Sequence, residues 1–281
     1  MDLNTITSFR RATQRDDLAL APGEIILGGG TWLFGEPQNH ATGLVDLTTM
    51  GWPDLEVTDG GLTIGATCTI ATLVAFAEGR TADAAAPADW SAIALFPVAA
   101  NALLASFKIW NTATVGGNVC RSFSAGAIVS LASALDGEAV IWTPDGGERR
   151  TPVAELMTGN GTNDLARGEV VRAVVIPAHA LRSRAVMRKI ALAELGRSGA
   201  VVTGRIDRDG SAVFSVTAAT LTPTVLRYPE LPAAAQLAVD VAGAADFYTD
   251  PLGSADWRRG VSVELAERIR AELAADSGET A

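Results

Sequence analysis

The sequence contains few residues that could hold a metal ion. It has two cysteines, Cys68 and Cys120, and two histidines, His40 and His179, in 281 residues. Two thiols cannot supply the four ligands of a structural zinc or iron–sulfur site, and the histidines lie far apart in the chain. We therefore expect no metal on this chain, and any redox chemistry would have to come from a bound organic cofactor.

Positive charge and long apolar runs are also scarce. Lys and Arg number 22 against 32 Asp and Glu, and the net charge of −10 argues against nucleic acid or an anionic membrane as a partner. The most apolar window, residues 91–107, contains Pro97 and Asn101 and falls short of the ~20 residues of a membrane span, so it predicts a buried helix. Residues 1–14 lack the apolar stretch of a signal peptide. We expect a soluble, cytoplasmic protein with reduced cysteines.

The spacing of apolar residues predicts alternating strands and helices. With 48% hydrophobic residues and a length typical of about two domains, the chain can bury a sizeable core. A hairpin is predicted around residues 207–210, and the polar, basic segment 178–184 is expected to link two domains. The predicted strands cover residues 24–27, 44–47, 62–66, 139–142, 170–176, 199–206 and 212–218, and the predicted helices cover 69–79, 91–107, 127–135 and 254–275.

Two glycine-rich segments are the strongest functional signal. Consecutive glycines can point backbone N–H groups toward phosphate oxygens, although a tight turn is the plainer interpretation. Neither segment matches the fingerprint G-x-G-x-x-G or the P-loop. We expect the two to converge on one diphosphate, and Asn118 either to bind the ligand or to cap the next segment. The candidate residues are Leu27, Gly28, Gly29, Gly30, Thr31 and Trp32 in the first segment and Thr114, Val115, Gly116, Gly117 and Asn118 in the second.

These segments, GGGTWL and TATVGGN, resemble in order and separation those of the FAD-binding (medium) subunit of the molybdenum hydroxylases. That family includes the medium subunit of carbon monoxide dehydrogenase and the flavin domain of xanthine dehydrogenase. Residues 168–177 are similar to the strand that leads out of the flavin domain, and residues 250–259 (DPLGSADWRR) to the start of the C-terminal helix. Together the four segments extend over most of the chain.

The resemblance implies a mixed α/β (α+β) fold. A PCMH-type FAD-binding domain would cover residues 1–177, with subdomains of about 1–58 and 59–177, and a C-terminal domain of antiparallel sheet and helices would cover 178–281. FAD would lie in a cleft, with its diphosphate held by the two glycine segments from opposite sides. Val171 would contact the cofactor, Arg188 or Lys189 would be the basic residue beside the flavin, and Glu194 an acid near the ring edge. A cation there would stabilise the anionic reduced flavin.

Three residues depart from the family pattern. Trp32 replaces a small polar or acidic residue and offers a stacking surface, Trp110 replaces an arginine, and Ala127 replaces an aspartate that reaches the cofactor. Loss of one charge-assisted hydrogen bond costs about 1.5–3 kcal/mol, which is roughly one to two decades in affinity. We therefore expect FAD binding that is weaker than in the relatives.

The function implied by the resemblance is electron transfer within a heteromeric molybdenum hydroxylase. A large partner subunit would carry molybdopterin and a small partner subunit [2Fe-2S] clusters, and FAD on this chain would pass electrons to NAD, oxygen or another acceptor. No catalytic residue is assigned here, because neither histidine lies near a nucleophile motif. Two alternatives stay open: a stand-alone flavin oxidoreductase of the same fold group, and a structural subunit with weakened FAD binding.

Overall fold

The computed structural model describes residues 3–82, 84–102, 107–193 and 196–278. Each of its three main sheets is drawn from one stretch of the chain. The first sheet contains β1 (Ser8–Arg11), β2 (Glu24–Leu27) and β3 (Gly43–Asp46). Its order is β1–β3–β2, and both outer strands run parallel to β3.

The second sheet is antiparallel and surrounds a central apolar strand. It contains β4 (Leu55–Thr58), β5 (Gly61–Gly65), β6 (Glu138–Trp142), β7 (Glu148–Pro152) and β10 (Val170–Pro177). The order is β4–β5–β10–β6–β7. The Val- and Ile-rich strand β10 is buried along most of its length, as is typical of a strand with neighbours on both sides. A short hairpin, β8 (Met157–Gly159) and β9 (Thr162–Asn163), follows β7.

The third sheet is an antiparallel meander in the order β11–β12–β13–β14. Its strands are β11 (Arg184–Ala191), β12 (Ser198–Ile206), β13 (Ala212–Thr217) and β14 (Thr224–Tyr228). The predicted hairpin at residues 207–210 is confirmed: Asp207 donates its N–H to the carbonyl oxygen of Ser211 at 2.8 Å, and Gly210 has φ +92°. Only a glycine adopts such a backbone conformation without strain.

The helices cover the second and third sheets. They are α1 (Ile70–Ala77), α2 (Leu95–Ala102), α3 (Phe107–Trp110), α4 (Val115–Arg121), α5 (Ala127–Ala134), α6 (Val153–Leu156), α7 (Ala178–Leu181), α8 (Ala234–Ala242) and α9 (Ala255–Gly278), with short 3-10 helices at Arg15–Leu18 and Ser91–Ala94. The single helix predicted over 91–107 therefore begins as a 3-10 turn, and the described part of α2 ends at Ala102. Residues 103–106 lie outside the described residues.

The buried apolar side chains form separate cores. The largest joins the second sheet to α1, α2 and α5 through residues such as Phe76 and Phe96, and another joins the third sheet to α8 and α9 through Phe214. The segment 178–184 differs from the predicted polar link. Ala180 and Leu181 are fully buried in the largest core, and Ser183 is fully buried as well, whereas His179 is exposed.

An ion-pair cluster joins the second and third sheets at their seam. Asp136, in the turn after α5, accepts hydrogen bonds from Arg205 of β12 and, at 2.6 Å, from Arg227 of β14. Arg205 is 1% exposed. Burial acts to raise the pKa of Asp136, but the two arginines outweigh it and hold that pKa well below its usual value. The carboxylate therefore stays charged and ties the two sheets together.

Candidate cofactor-binding site

The two glycine segments face a common cleft of about 430 Å³. Gly28 and Gly29 line it from the turn after β2, and Thr112 and Thr114 line it from the segment that leads into α4. Small-molecule sites typically have volumes of roughly 300–1,000 Å³. Two segments that are distant in the sequence therefore meet at one cavity large enough for part of a dinucleotide.

Glycine is required where these segments touch. A Cβ on Gly29 would lie 1.8 Å from the carbonyl oxygen of Thr112, and a Cβ on Gly28 would lie 3.0 Å from Oγ1 of Thr114. Gly30 has φ +71°, and its Cβ would collide with the ring of Phe34 at 2.4 Å. The three glycines therefore allow both a tight turn and a close approach of two backbones.

The first segment carries a run of unpaired backbone donors. Within the described residues, no acceptor takes the N–H groups of residues 28–33. The turn is closed further on, where Phe34 donates to the carbonyl oxygen of Gly30 and Gly35 donates to that of Trp32, both at 2.9 Å. Consecutive free N–H groups in a concave turn are the donors that a phosphate group requires.

The second segment is the start of a helix rather than an open loop. Thr114 is the N-cap of α4, and its Oγ1 accepts the N–H of Gly117 at 3.1 Å. Val115 and Gly116 donate their N–H groups to carbonyl oxygens between β5 and α1, both at 2.9 Å. These donors are therefore occupied, contrary to the expectation that they face a diphosphate. The segment presents Thr112 and Thr114 to the cleft instead.

Asn118 serves as a cap within the chain. Its Oδ1 accepts the N–H of Ile128, at the start of α5, at 3.0 Å. The sequence left open whether Asn118 binds the ligand or caps the next segment, and this hydrogen bond is a cap. Ala127, which stands in place of the family's aspartate, is the first residue of α5 and is fully buried.

The walls of the cleft are acidic. Asp46 and Asp54 line it, and among its described lining residues none is Lys or Arg. The carboxylate of Asp46 accepts the N–H of Thr48 at 2.9 Å and its hydroxyl at 2.7 Å. A wall of carboxylates accepts hydrogen bonds from hydroxyl and amino groups and repels phosphate. The sugar or base of a nucleotide suits this cleft. Gly28 and Gly29 line it but residues 30–33 do not, so a diphosphate bound by the free N–H groups of residues 30–33 would lie beside the acidic walls.

An aromatic cluster that the sequence analysis missed borders the cleft. Trp52 lines the cleft and packs edge-on against Trp142, with 5.5 Å between ring centroids. The Arg172 guanidinium lies 4.6 Å from the Trp52 centroid, and its Nη1 is buried without a hydrogen-bond partner. Burial lowers the pKa of Arg172. These residues come from separate strands and loops, so no local pattern predicts their contact.

The other predicted residues do not line the cleft. Val171 is 2% exposed and belongs to the largest core. Arg188 forms an ion pair with a glutamate of α9, and Nζ of Lys189 donates to a carbonyl oxygen of α2 at 3.0 Å. Glu194 lies outside the described residues. A cofactor-binding role for these residues, as for the two glycine segments, stays a prediction.

Trp32 stacks on a residue that the sequence analysis did not single out. The Arg121 guanidinium lies 3.8 Å from the ring centroid of Trp32 and 4.2 Å from that of Phe123. Trp32 belongs to the run of free N–H groups, and Arg121 is the last residue of α4. The stack therefore lies next to the candidate phosphate site.

Among the described residues, no three His, Cys, Asp or Glu side chains gather in an arrangement that could hold a metal ion, and no helix combines the length and apolarity of a membrane span. Burial raises the pKa of the Cys120 thiol to about 12, so this thiol is protonated at neutral pH. The described part of the chain thus offers a cleft, backbone donors and arginines.

The fold is shared with solved structures over nearly the whole chain. Quinoline 2-oxidoreductase from Pseudomonas putida 86 aligns with a TM-score of 0.79 at 18% identity, covering 98% of this chain and 99% of that one. Carbon monoxide dehydrogenase from Hydrogenophaga pseudoflava, lacking the Mo-pyranopterin moiety, aligns at 0.78 and 17%, covering 96% and 98%. Reconstituted CO dehydrogenase from Oligotropha carboxidovorans aligns at 0.79 and 18%, covering 96% and 99%. The predicted PCMH-type fold is confirmed.

Residues 10–179 match the family described as the FAD binding domain in molybdopterin dehydrogenase. This match covers more than half of the chain, and the chain therefore belongs to that family. Among curated proteins, none matches it by sequence. The resemblance found in the glycine segments is thus confirmed, FAD is the cofactor of this chain, and the chain is part of an oxidoreductase.

The residues present fit FAD. The turn at residues 28–33 supplies free N–H groups for a diphosphate, and the adjoining cleft supplies carboxylates and an aromatic ring for sugar and base. Glycine occupies the positions where a side chain would collide with the opposite wall. For the glycine segments the fit differs from the sequence prediction: the free N–H groups that could bind a diphosphate lie in the first segment, because those of the second segment are already bonded within the chain.

Proposed function

We propose that this chain is the FAD-carrying electron-transfer subunit of a molybdenum-containing hydroxylase or dehydrogenase complex. A large partner subunit would hold molybdopterin and a small partner subunit [2Fe-2S] clusters. Electrons would pass from the clusters through FAD to NAD, oxygen or another acceptor. The observation that carries this proposal is the common cleft of the two glycine segments in a chain of this family. The molybdenum cofactor and the Cu,Mo site named for the structurally similar CO dehydrogenases support it.

The work of this chain is to bind and orient the cofactor. The N–H groups of residues 28–33 hold the diphosphate, while Asp46 and Asp54 accept hydrogen bonds from the sugar or the base. Trp52 provides an apolar face beside them. FAD, when bound, supplies the redox chemistry itself. None of the described lining residues is His, Cys or Lys, so the cleft contains no general base of those types.

The domain division and location follow the same proposal. Residues 1–177, which contribute the first two sheets, form the FAD-binding domain, with subdomains of about 1–58 and 59–177. Residues 178–281 form the C-terminal domain around the third sheet. We place the complex in the cytoplasm.

The test is the visible spectrum of the purified chain, followed by isolation of the native complex. A flavin spectrum near one FAD per chain, with co-purification of a molybdenum-containing subunit, supports the proposal. Bound flavin without such a subunit would favour the stand-alone oxidoreductase. A colourless protein that FAD cannot reconstitute would overturn both enzyme functions and leave the structural subunit.

A further inference from the structure

Two guanidinium groups without carboxylate partners flank one aromatic ring at the seam between the second and third sheets. Arg121 lies 4.2 Å from the ring centroid of Phe123, and Arg197, just before β12, lies 5.5 Å from the same centroid. Within the described residues neither arginine forms an ion pair, although the protein has a net charge of −10. Because no carboxylate occupies these two neighbouring guanidinium groups, both are available to bind an anion.

The contacts of Arg121 leave most of its donors unused. Trp32 and Phe123 pack near its guanidinium, and such stacking occupies the faces of the group rather than its edge. Nη1 donates to the carbonyl oxygen of Gly161 at 3.3 Å, while Nε is buried without a partner. A buried donor without an acceptor is unfavourable, and an oxygen ligand at this edge would satisfy it.

The backbone that carries this arginine is held firmly in place. Ser124, between α4 and α5, donates its N–H to Oδ1 of Asn160 in the β8–β9 hairpin at 3.1 Å. Its hydroxyl donates to the carbonyl oxygen of Leu221, in the connection between β13 and β14 of the third sheet, at 3.1 Å. The segment is thus anchored on both sides of the seam. A preorganised cation loses less conformational freedom when it binds a ligand.

The position of Arg121 links it to the candidate diphosphate site. Trp32, on which it stacks, is one of the residues whose N–H groups lack an acceptor. The walls of the adjoining cleft carry Asp46 and Asp54 and no cation among the described lining residues, so the charge of a diphosphate must be met from elsewhere. Burial lowers the pKa of Arg121, with the charge of Glu36 acting in the opposite direction. Within the described residues Arg121 forms no ion pair, which leaves its fork free for phosphate oxygens.

We propose that Arg121, with Arg197 beside it, is the cationic part of the diphosphate site of this chain. The edge of the Arg121 guanidinium binds phosphate oxygens of the dinucleotide, the N–H groups of residues 28–33 bind others, and Trp32 and Phe123 fix the guanidinium plane. This inference rests on the proposed function. It is separate from the role of Arg188 or Lys189 beside the flavin, which the resemblance implies and which stays a prediction.

The test measures the affinities of FAD, ADP and riboflavin for the purified full-length chain and its variants. ADP carries the diphosphate without the flavin, and riboflavin the flavin without phosphate. Arg121→Gln should weaken the binding of FAD and of ADP about tenfold to a hundredfold and reduce the salt dependence of ADP binding. The binding of riboflavin should be unchanged. Arg121→Lys keeps the charge and should recover part of the loss. Arg268→Gln, which removes an exposed arginine of α9, is the matched control and should match the wild type.

Each outcome decides between the inference and the proposed function. Unchanged FAD and ADP affinities in Arg121→Gln, or a loss confined to riboflavin, would overturn the inference alone. If Arg121→Gln fails to fold in a thermal melt, Arg197→Gln replaces it: this variant should weaken the binding of FAD and ADP and leave the binding of riboflavin unchanged, and unchanged affinities would overturn the inference. A wild-type chain that binds ADP through Arg121 but not FAD would keep the inference and overturn the flavoprotein function. A chain that binds neither ligand would overturn both.

Discussion

The closest backbone contact of the cleft predicts the effect of a single methyl group. Gly29→Ala places a Cβ 1.8 Å from the carbonyl oxygen of Thr112, whereas ordinary contact begins at 3.4 Å. The two segments would have to separate by about 1.6 Å, the difference of these distances. Both colliding groups belong to the backbone, so no side-chain rotation relieves the clash, and the two glycine segments must move apart.

The expected magnitude follows from the cost of overpacking. Such insertions destabilise proteins by about 1–3 kcal/mol, which for a chain of this size corresponds to roughly 2–4 °C of melting temperature per kcal/mol. Because the strain lies between the two segments that would hold FAD, a comparable free energy is lost from binding, or about tenfold to a hundredfold in Kd. Thermal melts and titration with FAD, followed by flavin fluorescence, measure both quantities.

Gly60→Ala is the matched control for this prediction. Its Cβ would meet its nearest neighbour, Oγ1 of Thr58, at an ordinary 3.6 Å, and neither residue lines the cleft. We expect it to melt and bind FAD like the wild type. If Gly29→Ala keeps the FAD affinity and melting temperature of the wild type, the two segments are not in the close backbone contact described here, and the prediction is wrong.

Three further outcomes are expected. Thr114→Val removes the N-cap of α4 and should lower the free energy of unfolding by about 1 kcal/mol, whereas Thr114→Ser keeps the cap; equal melting temperatures of the two variants would contradict the capping role. Asp136→Asn removes one of the two carboxylates that contact the buried Arg205 and should lower the free energy of unfolding, measured in urea, by about 3 kcal/mol. A change within about 0.5 kcal/mol would show that the contact between the second and third sheets does not depend on this charge. The hydrogen bond from Arg10 lowers the pKa of Glu24 from 4.5 to about 2. Because the pKa is depressed in the folded state, the pair stabilises the protein above about pH 4.5 and the contribution is lost as the pH falls toward 2. Glu24→Gln should flatten the dependence of stability on pH in this interval, and an unchanged curve would contradict the pairing.

The strands that could be predicted from the sequence are mostly interior strands. Each of these strands has two neighbours in a sheet, and its apolar run predicted it: they are β3, β5, β6, β10, β12 and β13. The strands that were not predicted are all edge strands: β1, β4, β7, β8, β9, β11 and β14. An edge strand is flanked by solvent and commonly carries charged residues, as β7 does with Glu148, Arg149 and Arg150, so its hydrophobic pattern is weak.

The site shows the same division between local and tertiary information. The glycine segments were visible because strings of glycine are rare and have a direct backbone meaning. Other contacts depend on how separate elements pack. Gly116, for example, donates its N–H to a carbonyl oxygen distant in the sequence, and Trp32 stacks on Arg121. No local pattern encodes such contacts, which is why the sequence predicted donors in both segments while the structure leaves them free in one.

A crystal structure of the chain with bound FAD would show directly which groups hold the diphosphate. We expect diphosphate oxygens within about 3.2 Å of backbone nitrogens of residues 28–33, with the sugar or base of the cofactor in the cleft beside Asp46 and Asp54. FAD bound at another place, with the N–H groups of residues 28–33 facing solvent, would contradict this expectation.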